Sequence, residues 1–103
     1  MAHEFVTARL SEIQDLCRRF GVLRLDLFGS AADGSFDPER SDIDVLVEFD
    51  FAPGIDRFAN YFGLKEGLEA LFGRPVDLVS VTAIVNPYFR RSVVETRELL
   101  YAA

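Results

Sequence analysis

The spacing of hydrophobic positions along this 103-residue chain changes several times, and each spacing predicts a different element. From Thr7 to Phe20 the apolar residues recur every three or four positions, which is typical of an amphipathic helix. Apolar and polar residues then alternate from Leu23 to Phe28. The alternation returns at Ile43, Val45 and Val47. These two runs predict strands, joined by a polar loop over residues 34–41.

The second half of the chain repeats both signals. Near-helical spacing predicts a helix from Ile55 to Phe72, in which Gly63 is a candidate for a kink or a break. Residues Val76 to Val81 form an almost continuous apolar run that predicts a third strand.

Asn86 and Pro87 mark the start of the last predicted helix, because asparagine caps helical amides and proline suits the first helical position. We expect this helix to run to about Tyr101. The resulting order favours an α/β (α+β) fold in which helices flank a small mixed β-sheet. At this length we expect a single domain over residues 1–103.

Composition and charge narrow the classes of function. Half of the residues are apolar, which predicts a globular protein, and no run approaches the roughly 18–20 apolar residues of a membrane span. The first residues lack a signal-peptide pattern, so we expect cytoplasmic residence and no membrane partner. The net charge is −6 and the basic residues are scattered, which argues against direct binding of long nucleic acids. The one cysteine, Cys17, excludes an internal disulfide and is expected to be buried.

Candidate chemistry is concentrated between the first two predicted strands. Gly29 and Ser30 end the first strand, and Ser30 can cap a short helical turn. Glycine lets the backbone approach a phosphate closely, while the following amides and the Ser30 hydroxyl can donate to its oxygens. Asp42 and Asp44 begin the second strand two residues apart, so their carboxylates are expected to share one face. A divalent cation such as Mg²⁺ would offset their repulsion in apolar surroundings.

Asp77 is the one acid in the third predicted strand. If this strand neighbours the strand of Asp42 and Asp44, three carboxylates converge, which is enough for a two-metal site. Taken singly, each signal has an ordinary explanation as a turn, a solvated strand end or an edge residue. Together they favour metal-dependent chemistry on a nucleoside triphosphate, because all three fall at strand ends in the order that such a site needs.

The segment LFGSAADGSFDPERSDIDVLVEF resembles the signature of the DNA polymerase β-like nucleotidyltransferases, and Gly29, Ser30, Asp42 and Asp44 match it directly. Asp77 matches the third carboxylate. The chain as a whole is similar to the minimal nucleotidyltransferases, known as MNT or MntA-type antitoxins. The resemblance implies the polymerase β-like nucleotidyltransferase fold. It also implies an enzyme that transfers AMP from ATP to a hydroxyl and releases pyrophosphate.

The resemblance also implies the role of each site residue. Asp42 and Asp44 would hold the Mg²⁺ that bridges the phosphates of ATP, and Asp77 would help to bind a second metal and favour deprotonation of the attacking hydroxyl. Gly29 and Ser30 would bind the terminal phosphates. Mg²⁺ is therefore the expected cofactor and ATP the expected substrate.

The sequence departs from the family at Asp33, where relatives commonly carry a basic residue. An acid beside the phosphates would oppose triphosphate binding by Coulomb repulsion. Arg40, in the same loop, is a candidate to compensate for it.

The family resemblance implies a partner, a HEPN-type toxin encoded nearby, whose tyrosine would receive the nucleotide. A domain of this size is not expected to supply its own acceptor site. Two alternatives stay open. In the first, the chain is a binding antitoxin that masks its partner without turnover. In the second, it is the catalytic subunit of a two-chain transferase that acts on a small hydroxylated molecule.

Overall fold

The computed structural model describes residues 4–29, 32, 37, 42–50, 53–54 and 56–103 of the chain. The expectations for Ser30, Asp33 and Arg40 lie outside these residues. In chain order, the described helices and strands are α1 (Glu4–Thr7), α2 (Leu10–Arg19), β1 (Val22–Phe28), β2 (Ile43–Phe49), α3 (Arg57–Phe72), β3 (Val76–Ser80), a 3₁₀ turn (Val81–Ala83), α4 (Pro87–Thr96) and β4 (Glu98–Ala102).

The four strands form one mixed sheet in the order β3-β2-β1-β4. Strand β1 pairs antiparallel with β2 on one side and with β4 on the other. Strands β2 and β3 are parallel, and α3 provides the crossover that such a pair requires. This arrangement confirms the predicted α/β (α+β) class with a small mixed sheet flanked by helices.

Each face of the sheet packs against its own helices. On the first face, α2 and α3 cover a continuous apolar core that includes Ile13, Cys17, Leu25, Leu27, Val45, Val47, Leu64 and Leu68. Burial raises the pKa of the Cys17 thiol to about 12, which confirms the predicted buried cysteine and keeps it protonated. On the second face, α4 seals a smaller cluster formed by Phe28, Leu46, Ile84 and Val93.

Side chains cap the starts of the two longer C-terminal helices, and the cap at Asn86 was expected. The Asp56 carboxylate accepts a hydrogen bond from the Ala59 amide at 3.0 Å and begins α3. The Asn86 side chain accepts from the Tyr88 amide at 2.9 Å, with Pro87 in the first turn of α4. The predicted start of the last helix is therefore confirmed.

The prediction that the last helix runs to about Tyr101 is wrong. The backbone leaves the helical conformation at Arg97, and the next five residues form β4. This strand satisfies the backbone groups along the otherwise open edge of β1. Its residues alternate as a strand requires, since Leu100 is 5% exposed and Leu99 is 56% exposed.

The first predicted helix is also corrected, because it consists of two pieces. Helix α1 ends at Thr7 and α2 begins at Leu10, whereas one helix was predicted from Thr7. The Arg9 amide donates to the Val6 carbonyl at 3.0 Å, a tighter turn than an α-helix makes.

Gly63 does not kink or break α3, which is continuous from Arg57 to Phe72. The glycine instead allows close helix packing, since a Cβ atom at this position would overlap the Phe20 ring. A Cβ atom on Gly67, one turn later, would lie 2.7 Å from a methyl group of Leu16. The two glycines therefore form the surface of α3 on which α2 rests.

None of the helices that the structure describes combines the length and the apolar character that a membrane crossing requires.

We predict that Gly63→Ala lowers the free energy of unfolding by about 1–3 kcal/mol, because the added methyl group overpacks the contact with Phe20. The sign is informative, since helix propensity alone would favour alanine by about 1 kcal/mol. Urea denaturation measures the change. In a Phe20→Leu background the same substitution should become nearly neutral or stabilising. Equal destabilisation in both backgrounds would contradict the packing explanation.

Candidate active site

The carboxylates of the candidate site lie where β2 begins. Asp42 directly precedes this strand and Asp44 is its second residue. In the sheet, Asp44 lies opposite Phe28 of β1 on one side and opposite Asp77 of β3 on the other. The parallel neighbour that the sequence required for Asp77 is thus present, and it brings Asp77 beside Asp44.

Gly29 fits the end of β1 closely against Asp44. Its backbone has φ +70°, in the left-handed region that glycine adopts without strain. A Cβ atom at this position would lie 2.6 Å from Oδ2 of Asp44. The Gly29 carbonyl also accepts a hydrogen bond from the Ala32 amide at 3.1 Å. The position of the Asp44 carboxylate therefore depends on the absence of a side chain at Gly29.

The electrostatics of the site favour a cation. Burial raises the pKa of Asp44 above its ordinary value, and the negative charges of Asp77 and Asp42 raise it further. Asp44 is half-buried, whereas Asp42 and Asp77 are exposed at the rim. A positive ion here would replace the water that Asp44 has lost and screen the repulsion among the three acids.

The residues present fit a magnesium ion as partial ligands. No three His, Cys, Asp or Glu side chains are gathered into a complete metal site within the described ranges. Mg²⁺ does not require such a cage, since it commonly takes one or two carboxylates and completes its shell with water and substrate phosphates. Asp44 with Asp42 can supply that pair, with Asp77 on the adjacent strand.

Sequence reasoning missed a further acid on the same face of the sheet. Asp26 is 2% exposed, and its carboxylate accepts hydrogen bonds from Nε of Arg24 at 2.9 Å and from Nη2 of Arg24 at 3.1 Å. The alternation of apolar and polar residues in β1 placed Asp26 on a polar face and did not indicate that it is buried. The overlooked signal was an acid inside an apolar strand, the same signal that singled out Asp77.

Comparison with known sequences agrees with this geometry. A family profile described as nucleotidyltransferase domain matches residues 12–100. The chain is 39% identical over 100 residues to a candidate protein adenylyltransferase of Methanocaldococcus jannaschii, with 89% of this chain and 96% of that protein covered. It is 39% identical over 79 residues to the protein adenylyltransferase MntA of Thermococcus cleftensis, with 77% and 73% covered.

Solved structures share the fold. A structure described as a candidate minimal nucleotidyltransferase superposes with a TM-score of 0.76 at 36% identity, and 95% of each chain is covered. A chain from a crystal structure of a toxin–antitoxin with AMP-PNP superposes with a TM-score of 0.69 at 27% identity, covering 91% of this chain and 73% of that one.

We predict that Asp44→Asn stabilises the metal-free protein at neutral pH. A carboxyl whose pKa is raised on folding contributes stability that is fully present below its unfolded pKa of about 3.8 and is lost as the pH rises through the folded pKa. At neutral pH the ionised carboxylate therefore opposes folding, and the neutral amide removes this effect. Thermal unfolding in the presence of a chelator, followed from pH 7 to below pH 4, measures the difference.

The stability advantage of Asp44→Asn should shrink as the pH falls. The control is Asp15→Asn on the surface of α2, where the carboxylate forms an exposed pair with Arg18. A variant at Asp44 that is less stable than wild type at pH 7 without metal would contradict the electrostatic argument.

Proposed function

This chain belongs to the nucleotidyltransferase domain family, and from that premise we propose that it transfers AMP from ATP to a hydroxyl of a partner protein. The observation that carries the proposal is the register of the sheet, which pairs Asp44 with Asp77 and seats Gly29 against the Asp44 carboxylate. Acids on adjacent strands beside a glycine turn are suited to a triphosphate with its cation.

Each residue of the site has a role in this reaction. Asp42 and Asp44 would hold Mg²⁺, which would supply positive charge to the phosphates and to the departing pyrophosphate. Gly29 and, as the family resemblance implies, Ser30 would bind the terminal phosphates. Asp77, next to Asp44, is the candidate base for the acceptor hydroxyl.

The transfer of AMP needs no reactant other than ATP and the acceptor hydroxyl. The acceptor oxygen attacks the α-phosphorus of ATP and forms a new O–P bond. The bond between the α-phosphorus and the bridging oxygen breaks, and its electron pair leaves with pyrophosphate. The hydroxyl proton passes to Asp77.

The acceptor that we propose is a tyrosine of a HEPN-type toxin, for which this chain acts as antitoxin. The similarity to the protein adenylyltransferase MntA supports a protein acceptor, and the similarity to a toxin–antitoxin structure with AMP-PNP supports both a partner chain and an adenine nucleotide. The surface of α4 adds to this support, because Tyr88 and Phe89 project exposed rings of the kind enriched at interfaces.

We predict that the double variant Asp42→Asn, Asp44→Asn loses the Mg²⁺-dependent part of ATP binding. Changes to residues around metal ligands commonly cost 10–100-fold in metal affinity, so loss of two ligands should weaken Mg²⁺-ATP binding by at least about tenfold. Calorimetry with ATP, with and without Mg²⁺, measures the effect. The control is Asp15→Asn on α2, where the exposed carboxylate pairs with Arg18. Unchanged metal-dependent affinity in the double variant would refute the site assignment.

We predict that Asp77→Asn reduces kcat much more than it changes KM for ATP. A base acts in the transition state, where general catalysis contributes about 10²–10⁴-fold. The experiment is co-expression with the protein encoded alongside, followed by intact-mass analysis of that partner after incubation with ATP and Mg²⁺. The wild-type chain should add the mass of AMP to the partner.

The same measurement separates the alternatives. A stable complex without any nucleotide adduct, formed by a chain that still binds ATP, would indicate an antitoxin that only masks its partner. Transfer of AMP to a small molecule with no complex would indicate the two-chain transferase. Normal transfer by Asp77→Asn would show that the base lies elsewhere.

A further inference from the structure

A cleft of about 260 Å³ lies between α4 and the second face of the sheet. Its apolar floor is formed by Leu46, Ile84 and Val93, which pack together in the smaller core cluster. Three arginines, Arg24, Arg90 and Arg97, line the cleft around this floor.

The cleft is separate from the candidate active site. Asp44 lies at the start of β2, whereas the cleft is lined by Leu46 and Glu48 farther along the same strand. Four residues of extended strand place Glu48 about 13 Å from Asp44. The rings of Phe28 and Phe89 pack edge to face, with centroids 6.0 Å apart, at the Asp44 end of the face.

Two of the three arginines have no acidic partner among the residues that the structure describes. Arg24 is held by the buried Asp26 through two hydrogen bonds. In contrast, no carboxylate of the described residues forms a salt bridge with Arg90 or Arg97. The Arg90 guanidinium is held in place by its Nη2, which donates to the Ile84 carbonyl at 3.2 Å.

The charge of the cleft is opposite to that of the chain. Three arginines and two acids, Asp26 and Glu48, line it, so its formal charge is +1, whereas the chain carries −6. The cleft would therefore attract a ligand that carries carboxylates, whereas most of the remaining surface would repel it.

We propose that this cleft docks an acidic segment of the partner protein, with one apolar side chain on the Leu46 floor and neighbouring carboxylates on Arg90 and Arg97. The volume suits a single side chain rather than a drug-sized ligand. Exposed Val81 and Val94 extend the apolar surface beside the floor, as a bound peptide requires.

Nucleic acid fits the cleft less well. None of the described residues that line it is aromatic, so these residues offer bases no surface on which to stack. The exposed Glu48 and the negative charge of the chain oppose a phosphate backbone. The docking of an acidic segment rests on the proposed function only for the existence of a protein partner, and it adds the surface that this partner contacts.

The test is fluorescence anisotropy with a labelled synthetic peptide in which one leucine is flanked by aspartates and glutamates. The comparison peptide replaces these acids with asparagine and glutamine. The full chain is titrated without ATP or Mg²⁺, so the result does not depend on Asp42 or Asp44. The acidic peptide should bind saturably, more weakly as salt increases, and at least about tenfold more tightly than the amide peptide.

The key variant is Arg97→Glu, which should weaken binding of the acidic peptide by about tenfold. Arg91→Glu is its matched control, because it makes the same charge change six residues earlier, at a residue of α4 that pairs with Glu95 at 3.4 Å and does not line the cleft. The control should change affinity by less than about twofold.

Four outcomes would overturn the proposal. They are equal weakening by Arg97→Glu and Arg91→Glu, equal affinity for the acidic and amide peptides, absence of saturable binding, and displacement of the peptide by a tighter-binding single-stranded RNA. If the wild-type chain binds the acidic peptide but shows no Mg²⁺-dependent ATP binding in calorimetry, this result would instead count against the catalytic proposal alone.

Discussion

The register of β2 between its two neighbours is the constraint on which the rest of the structure depends. Ile43, Val45 and Val47 must all face the core under α2 and α3, and this requirement sends Asp44 to the opposite face. A slip of one residue would bury the carboxylates and expose the apolar side chains, so the hydrophobic core strongly specifies the register. The geometry of the candidate site is therefore a consequence of core packing. The core places Asp44 beside Asp77 even though the two acids repel each other.

The site itself opposes folding. Asp44 is half-buried beside two other acids, and its pKa is raised as a result. Gly29 has a left-handed backbone conformation, and any side chain at this position would collide with the Asp44 carboxylate. These features are tolerated because the apolar core on the other face of the sheet stabilises the strands independently of the site. Functional positions often carry such locally destabilising features, which well-packed regions elsewhere in the protein offset.

Local patterns in the sequence predicted the elements whose signals are local. The alternation of β1 and β2, the cap at Asn86, and the pair Asp42 and Asp44 are all recognised within a few residues of sequence. The features that were missed depend on distant parts of the chain. Strand β4 exists because β1, more than seventy positions earlier, offers an open edge, and this pairing overrides the helical pattern of the last residues.

The same distinction explains the remaining errors. Gly63 resembles a helix breaker until the Phe20 ring is placed against it, and Asp26 resembles a surface acid until α4 covers the second face. The prediction for Asp77 depended on which strands are neighbours in the sheet, and the spacing of residues along the chain does not reveal this. Once β3 is known to lie beside β2, the position of Asp77 follows directly from the register.

Helix α4 connects the two ends of the second face. Phe89, in its first turn, packs on Phe28 at the level of Asp44, while Val93 and Arg97 lie over the arginine-lined cleft. The cleft begins at Leu46, two residues along β2 from Asp44, and extends to Glu48, about 13 Å from that acid. A partner segment held in the cleft would need only a short stretch of chain beside α4 to carry a hydroxyl to Asp44 and Asp77. Binding away from the reacting atoms would thereby position the acceptor, which is how remote contacts contribute to the rate of a transfer reaction.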